Sequence, residues 1–523
     1  MTERKSALWL FVALLLLVSI FASMPPVVDE ESYLFIGSSI GDNLSRPYDW
    51  WRAWQPLGET PADNTFVYAH PPLHLWWVAI CHSLSGSLSS LRVVVALPWL
   101  ALLSGSVVYL ANTLSRRSGW ALALWASCPI VMLGCQASLM IDLPFVALST
   151  VGVALWVKSC REESSSVLFM VTGAVLGLAC ITKYPALVLL PVIAIHARKG
   201  GNWAGFGRAL VAFLFVFGGV EVWLLVQYGE FHLLRVIESV SVIDRGPIVG
   251  RGFGLLVRLG VMFTPLLLIM NRGLRAPILG AIAGIIGLSA VGIGDFGVIG
   301  ITVILVLFAV SGVIVSLIVD GVLATRAKNN DAMLLSVWAA AVLLSVLFGH
   351  NYAGGRYLFS SVLPLAILLS NSPIFGGAKS SMMGLAVGAW AAVSVLLVVG
   401  VDREARAMVS LADSTNGFTA SGSRLFSGEW TFRYAMTQNG WSWLGPEGQL
   451  QAGDLVAIPS NSGAGLVPRS DLVLVDRVVS QEQYPFRLTD YQGDLGYHSE
   501  LLGRLPFGFS MGEWHAVDLY RVE

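Results

Sequence analysis

A few charged residues stand where apolar stretches of the sequence end, and their types could do chemistry. Asp29 and Glu30 follow the first apolar stretch. Further along, single charges interrupt the apolar sequence at Asp142, Lys183 and Arg356. A carboxylate in such a position can take a proton from an alcohol, whereas Lys and Arg can hold an anion such as a phosphate. Each residue also has a simpler explanation, because Asp caps helices and a Lys at a helix end reaches toward the aqueous interface.

The elements that must position these residues are membrane spans. Charged residues make up 12% of the 523 residues and the mean hydropathy is +0.71, which excludes an ordinary soluble protein. Uncharged runs of roughly 20 residues, each long enough to cross the hydrocarbon layer, predict about thirteen spans. A net charge of -1 offers no excess of positive charge, so we expect no nucleic-acid partner.

The distribution of Lys and Arg indicates on which side of the membrane each loop lies. Arg4 and Lys5 precede the first span, and the alternate loops on the same side hold more Lys and Arg than the opposite loops. The amino terminus is therefore predicted in the cytoplasm and the protein in the cytoplasmic membrane. The charged residues introduced above all fall on the outer side, where independent helix caps would have no reason to gather. The sequence thus indicates an outer site for an anionic substrate whose other part lies in lipid.

The chain divides into two predicted domains. Residues 1–400 form a transmembrane domain with a long outer loop, residues 29–90, that is rich in Trp and acids. An odd number of spans places residues 401–523 outside. That segment contains an amphipathic stretch from Glu429 to Asn439, which suits a helix, and short alternating apolar runs typical of strands. The runs are Asp454–Ile458, Asp471–Val479 and Ala516–Val522. We expect a small extracytoplasmic α/β domain there.

Six short motifs resemble the membrane glycosyltransferases of the GT-C fold, in particular family 39, the relatives of aminoarabinose transferase and protein O-mannosyltransferase. The motifs are Asp29-Glu30 with Tyr33, His70-Pro71-Pro72-Leu73, Met140-Ile141-Asp142-Leu143-Pro144, Thr182-Lys183-Tyr184-Pro185, Arg356-Tyr357 and Gly428-Glu429-Trp430-Thr431-Phe432-Arg433-Tyr434. Relatives often have Lys where this chain has His70. The order, spacing and common side of the motifs carry the resemblance.

The resemblance implies a mainly α fold, a polytopic transmembrane helical bundle of the GT-C type. It also implies an integral membrane glycosyltransferase that moves a hexose or pentose from a polyprenyl phosphate to an acceptor on the extracytoplasmic face, with inversion. The partners would be the polyprenyl-phosphate-linked sugar, membrane lipid, and an acceptor that is a lipid, a glycan or a protein. Some members of the fold use a divalent metal at paired acids and others do not, so a metal is possible and no cofactor is required.

The resemblance further implies a role for each candidate residue. Asp29 is the predicted catalytic base, and Glu30 and Asp142 are expected to support it or to position the acceptor. The remaining candidates are predicted to bind the donor phosphate: Lys183, Arg356, Tyr357, His70, Arg46 and Arg52.

Two other classes of protein fit part of the pattern. A transporter or flippase of a lipid-linked sugar or another anionic amphiphile would explain many spans with scattered charges. It would not readily explain charges gathered at the outer boundary, the absence of a sequence repeat, or a large outer domain. A scaffold or receptor without catalytic activity would reduce Asp29 to a helix cap.

Overall fold

The computed structural model describes residues 3–523 except for 42, 50–69, 163–165, 243–247, 265–276, 278–279, 282–296, 324–329, 351–353, 374–379, 445–448, 461–470, 483, 491–494, 497–504, 506 and 511–512. Arg52, a predicted phosphate ligand, lies outside the described residues. Among those described, helices dominate and a small sheet lies near the carboxyl end, so the prediction of a mainly α protein is confirmed.

Seventeen α-helices are described. In chain order they are α1 Glu3–Ile20, α2 Glu30–Ile40, α3 Pro72–Ser83, α4 Leu88–Leu114, α5 Ser118–Ala126, α6 Pro129–Gln136, α7 Asp142–Arg161, α8 Ser166–Cys180, α9 Leu189–Gly200, α10 Trp203–Tyr228, α11 His232–Val242, α12 Ile248–Met262, α13 Gly297–Leu323, α14 Asn330–Gly349, α15 Phe359–Asn371, α16 Ser380–Ser414 and α17 Trp430–Gln438.

Six of the described helices are long and apolar enough to cross a membrane, namely α4, α7, α10, α13, α14 and α16. Helices α5 and α6 would make a seventh span if counted together, although they are bent by 57°. The uncharged run at about residues 120–140 predicts one span, and the structure has two helices there. The bend falls just before Pro129, because proline disfavours a helical residue ahead of it. The chain is thus a multi-pass membrane protein, and the count of about thirteen spans stays a prediction.

Two short 3-10 turns interrupt the apolar segments where Lys183 and Arg356 occur. The turn Tyr184–Val188 follows Lys183, whose backbone is extended, and leads into α9. The turn Gly355–Leu358 contains Arg356 and leads into α15. A Cβ atom on Gly134 of α6 would lie 2.6 Å from the Phe359 ring, so glycine there allows the close approach that seats the second turn against α6. Both charged residues are therefore carried on short turns fixed by packed helices.

The carboxyl-terminal segment folds around a five-stranded sheet. Its strands are β1 Arg424–Phe426, β2 Ser442–Trp443, β3 Leu455–Pro459, β4 Leu472–Val479 and β9 Ala516–Val522, in the order β2-β1-β3-β9-β4. The short pairs β5 Phe486–Arg487 with β8 Gly508–Phe509 and β6 Thr489–Asp490 with β7 Leu495–Gly496 complete the strands. The three predicted strands and the predicted helix are confirmed, and buried apolar residues of β3 and β9 form a core with α17.

The predicted domain boundary between residues 400 and 401 falls within α16, which continues to Ser414. The apolar run ends near Gly400, but the helix continues because the residues that follow alternate polar and apolar faces at helical spacing. Contacts of α17 with both α2 and α16 then join the carboxyl-terminal segment to the membrane part.

Candidate functional site

Asp29 and Arg356 form an ion pair at the start of α2. Asp29 directly precedes α2, but its side chain makes no capping hydrogen bond to that helix. Its Oδ2 instead accepts a hydrogen bond from Nη1 of Arg356 at 2.8 Å. The Asp29 side chain is 37% exposed and that of Arg356 is 14% exposed. The cap interpretation therefore does not describe Asp29, whose carboxylate faces a cation and is still open to solvent.

Asp142 and Lys183 form a second ion pair that is almost fully buried. Nζ of Lys183 donates to Oδ1 of Asp142 at 2.6 Å, and each side chain is 5% exposed. Asp142 is the first residue of α7, and Lys183 lies just before a 3-10 turn. A buried lysine requires a partner of opposite charge, and Asp142 is that partner at this position.

The ring of Tyr357 lies between the two ion pairs. Nζ of Lys183 is 4.8 Å from the ring centroid and the guanidinium carbon of Arg356 is 5.2 Å from it. Arg356 also donates from Nη2 to the Tyr357 hydroxyl at 3.3 Å, and the His350 ring stacks on Tyr357 at 4.1 Å between centroids. Both cations thus lie close to one aromatic ring, whose π-system attracts positive charge. An anion at this point would meet both.

His70 lies in the same cluster as a neutral ring. The pKa of His70 is lowered from 6.5 to about 3, mainly by burial. The positive charges of Lys183 and Arg356 also lower the pKa, and this effect exceeds the rise that Asp142 and Asp29 cause. The Tyr48 hydroxyl donates a hydrogen bond to the backbone carbonyl oxygen of His70 at 3.1 Å, which helps to fix the position of His70. The imidazole therefore offers hydrogen bonding but no charge at neutral pH.

Glu30 is directed away from this cluster and into the protein. It forms a buried ion pair with Arg92, in which Nη2 lies 2.6 Å from Oε2 and neither side chain is more than 1% exposed. Its carboxylate also accepts backbone hydrogen bonds from Val27 and Leu139, both at 3.1 Å. Arg92 in turn donates to the carbonyl oxygens of Ala22, Met24 and Pro25. These contacts fix the segment that leads into Asp29.

Arg92 is a residue that the sequence argument did not single out. It stands at the edge of the apolar run that forms α4, so it was counted only as a loop charge. A lone Arg on the predicted outer side, where positive charge is not favoured, was the available signal.

Backbone strain marks the residue just before Asp29. Val28 has a φ of 48°, in the left-handed region that β-branched residues rarely adopt. Such a conformation persists only where the surroundings impose it. The Thr431 hydroxyl donates to the carbonyl of Pro26 at 2.7 Å from the other side, so the carboxyl-terminal segment also holds this stretch.

Arg46 lies apart from the two ion pairs. It pairs with Asp49 at 3.1 Å, its side chain is 48% exposed, and its guanidinium carbon is 5.6 Å from the Tyr228 ring centroid. Its side-chain contacts within the described residues are with Asp49 and Tyr228. The structure therefore brings together Asp29, Asp142, His70, Lys183, Arg356 and Tyr357.

Two small cavities flank the cluster. One, of about 10 Å³, is bounded by Asp142, Lys183, His350 and Tyr357. The other, of about 40 Å³, is bounded by Asp142, Arg356 and Val28 among others. Neither of these two cavities has room for a sugar phosphate. Within the described ranges, no group of three or more His, Cys, Asp or Glu side chains could hold a metal ion.

Solved structures of membrane enzymes resemble this chain at low identity. ArnT from Cupriavidus metallidurans, bound to undecaprenyl phosphate, aligns with a TM-score of 0.42 and 16% identity over 87% of this chain and 93% of that chain. The archaeal oligosaccharyltransferase AglB from Archaeoglobus fulgidus, in complex with an inhibitory peptide and a dolichol-phosphate, aligns with a TM-score of 0.46 and 14% identity over 84% of this chain and 64% of that chain.

A comparison with curated proteins finds no significant match. A sequence model of the dolichyl-phosphate-mannose-protein mannosyltransferase family matches residues 69–223, which include His70, Asp142 and Lys183. Over residues 69–223 this match confirms the predicted resemblance to the protein O-mannosyltransferase family.

Proposed function

We propose that this protein transfers a sugar from a polyprenyl phosphate to an acceptor hydroxyl on the extracytoplasmic face, with inversion at the anomeric carbon. The observation that carries the proposal is the gathering of Asp29, Arg356 and Lys183 around Tyr357. One partly exposed carboxylate lies beside two cations, which is the arrangement that base-assisted displacement of a phosphate requires. The family that matches residues 69–223 is named for dolichyl-phosphate-mannose, which supports a donor of the polyprenyl-phosphate class.

The chemistry needs one base and no acid. The acceptor oxygen attacks the anomeric carbon while the bond from that carbon to the phosphate oxygen breaks. The acceptor proton passes to Asp29, and the polyprenyl phosphate leaves with the electron pair of the broken bond. A phosphate is already a good leaving group, so the remaining task is to stabilise its growing negative charge, which we assign to Arg356 and Lys183. Attack opposite the departing phosphate inverts the anomeric centre.

The ion pair between Asp29 and Arg356 holds the site in its resting form. A carboxylate paired with a guanidinium is a weak base, because the cation stabilises its charged form. When the donor phosphate arrives, we propose that Arg356 turns from Asp29 to the phosphate. Asp29 then loses its cation and becomes a stronger base at the moment that the donor is bound. Arg356 suits this exchange because its planar guanidinium binds carboxylate and phosphate in the same geometry.

The other two acids hold the site together in this proposal. Asp142 holds Lys183 in place beside Tyr357. Glu30, bound to Arg92, fixes the backbone before Asp29. The topology is part of the proposal: residues 1–400 cross the membrane with the amino terminus in the cytoplasm, and residues 401–523 lie outside above the site.

The test uses purified protein in lipid nanodiscs and a panel of undecaprenyl-phosphate and dolichyl-phosphate sugars. The proposal predicts that at least one donor yields free polyprenyl phosphate when an acceptor mixture is added. Asp331→Asn is a matched control, because Asp331 pairs with Arg161 at 2.8 Å in an exposed pair away from the site. A transporter would instead carry the sugar lipid across a sealed vesicle without releasing free lipid phosphate, and that result would contradict the proposal.

A further inference from the structure

A groove of about 810 Å³ lies between the membrane part and the carboxyl-terminal sheet. It runs along one side of α2, the helix that Asp29 precedes. Its walls are α2, the turn between α3 and α4, and α17 together with β2. The volume falls within the range of about 300–1,000 Å³ that is usual for small-ligand sites. Glu31 lines the groove, and Asp29, two residues earlier, belongs to the site described above. A ligand in the groove would therefore have one end close to Asp29.

The charged centre of the groove is neutralised. Nε of Arg433 lies 3.6 Å from Glu31 and its Nη1 lies 3.3 Å from Glu429. The Arg433 side chain is 7% exposed, and its guanidinium carbon is stacked 3.6 Å from the centre of the Trp443 ring. Because Arg433 already lies against two acidic side chains and an aromatic face, it offers no surplus positive charge to a phosphate group.

The rest of the lining combines aromatic rings with neutral hydrogen-bonding groups. Trp441 and Trp443 stand on one wall, and Nε1 of the buried Trp441 has no hydrogen-bond partner within the part of the chain that the structure describes. The neutral polar groups are Ser38, Ser85, Ser87, Thr437 and Gln438. Hydroxyl and amide groups exchange hydrogen bonds with the hydroxyls of a sugar, and an indole ring covers the apolar face of a sugar ring.

We propose that this groove binds a neutral saccharide, the part of the acceptor next to the hydroxyl that receives the transferred sugar. The proposal rests on the proposed function where it calls this saccharide the acceptor. Binding itself needs no chemistry at Asp29. A phosphorylated lipid headgroup is the competing ligand. Among the described lining residues the basic side chains are Arg433, which is already paired, and His82.

The sharpest variant fills the groove without removing a native contact. A Cβ atom on Gly86 would meet nothing within 4 Å, so Gly86→Trp adds a ring at the groove wall with little disturbance of the fold. Gly119→Trp is the matched control, because a Cβ atom there also meets nothing within 4 Å and Gly119 does not line the groove. Trp443→Ala removes the aromatic wall directly, and Tyr520→Ala serves as its control on the same sheet.

The experiment measures binding of neutral oligosaccharides of two to six sugar units to the full chain in nanodiscs, beside the same oligosaccharides carrying a phosphate. We expect a neutral oligosaccharide to bind and its dissociation constant to rise at least tenfold in Gly86→Trp and Trp443→Ala but not in the controls. No binding, a preference for the phosphorylated forms, or equal binding by Gly86→Trp would overturn the proposal.

A second readout separates this proposal from the proposed function. Slow hydrolysis of the donor, in which water replaces the acceptor, depends on Asp29, Arg356 and Lys183 but not on the groove. Gly86→Trp should keep this hydrolysis while losing oligosaccharide binding, and Asp29→Asn should do the reverse. If Gly86→Trp loses hydrolysis as well, the groove is not a separate acceptor subsite. If Asp29→Asn hydrolyses donor normally, the base assignment fails while the groove stands.

Discussion

Nη1 of Arg356 lies 2.8 Å from Oδ2 of Asp29, although the two residues are 327 positions apart in the chain. The pair joins the residue before α2 to the 3-10 turn before α15, so it connects the proposed base with a proposed phosphate ligand. In the proposed mechanism an incoming phosphate takes over this contact. Donor binding and base activation are then coupled through one side chain.

Arg356→Ala should weaken donor binding more than it slows the chemistry per bound donor. Loss of a charge-assisted hydrogen bond to phosphate costs about 1.4–2.8 kcal/mol, or roughly 10- to 100-fold in the dissociation constant. Arg356→Lys should recover only part of the loss, because a lysine cannot bind two oxygens side by side. Titration of nanodisc-embedded protein with undecaprenyl phosphate measures the effect. Equal affinity in wild type and Arg356→Ala would remove Arg356 from the phosphate site.

Arg92→Met should destabilise the fold rather than act on catalysis alone. Removal of one partner from a buried ion pair leaves an uncompensated charge at a cost of about 3–5 kcal/mol. The double variant Arg92→Met with Glu30→Leu should regain much of this stability, since it removes both charges. Thermal unfolding in detergent provides the measurement. An unchanged melting temperature in Arg92→Met, with activity lost, would instead place Arg92 in the chemistry.

The sequence predicted the class of the fold, but it did not predict how the candidate site residues pair with one another. Long uncharged runs and alternating strands depend on local periodicity, so the mainly α membrane part and the carboxyl-terminal sheet could be predicted. The common side of Asp29, Asp142, Lys183 and Arg356 followed from the alternation of loops. Which acid faces which cation depends on packing between distant helices, for which a single sequence holds no signal.

The parts that the sequence did not predict have local physical causes. Arg92 was hidden because it adjoins an apolar run, and its role depends on carbonyl groups from another segment. The bend before Pro129 and the short turns near Lys183 and Arg356 divide runs whose hydropathy is continuous. Hydropathy measures how apolar a segment is. The break at Pro129 is set by proline geometry, and the two turns occur where Lys183 and Arg356 form ion pairs with distant acids.

His70→Gln should leave donor binding and transfer within about threefold of wild type from pH 6 to pH 8. The pKa of His70 is lowered to about 3 by burial and by the adjacent cations, so its ring carries no charge across this range. Glutamine keeps a neutral hydrogen-bonding group. Transfer rates measured at several pH values check the prediction. A step near pH 6.5 that is present in wild type and absent in His70→Gln would show that the ring does become charged.

Glu31 should make the folded state less stable as the pH rises. Burial raises the pKa of Glu31 from 4.5 to about 8, an effect larger than the opposing charge of Arg433 at 3.6 Å. Between these two values the folded protein retains a proton that the unfolded chain releases, so stability falls with increasing pH and levels above about pH 8. Glu31→Gln removes this contribution. Its melting temperature relative to wild type should therefore rise from pH 5 to pH 8, and a constant difference would contradict the shifted pKa.

The most direct test of the central claim is sugar transfer by Asp29→Asn. The variant keeps the size of the side chain and removes only its ability to accept a proton, so undecaprenyl phosphate should still bind while the transfer rate falls by about 10²–10⁴-fold. Asp331→Asn, the exposed-pair control, should transfer at the wild-type rate. Transfer by Asp29→Asn at the rate of the wild-type protein would contradict the assignment of Asp29 as the base.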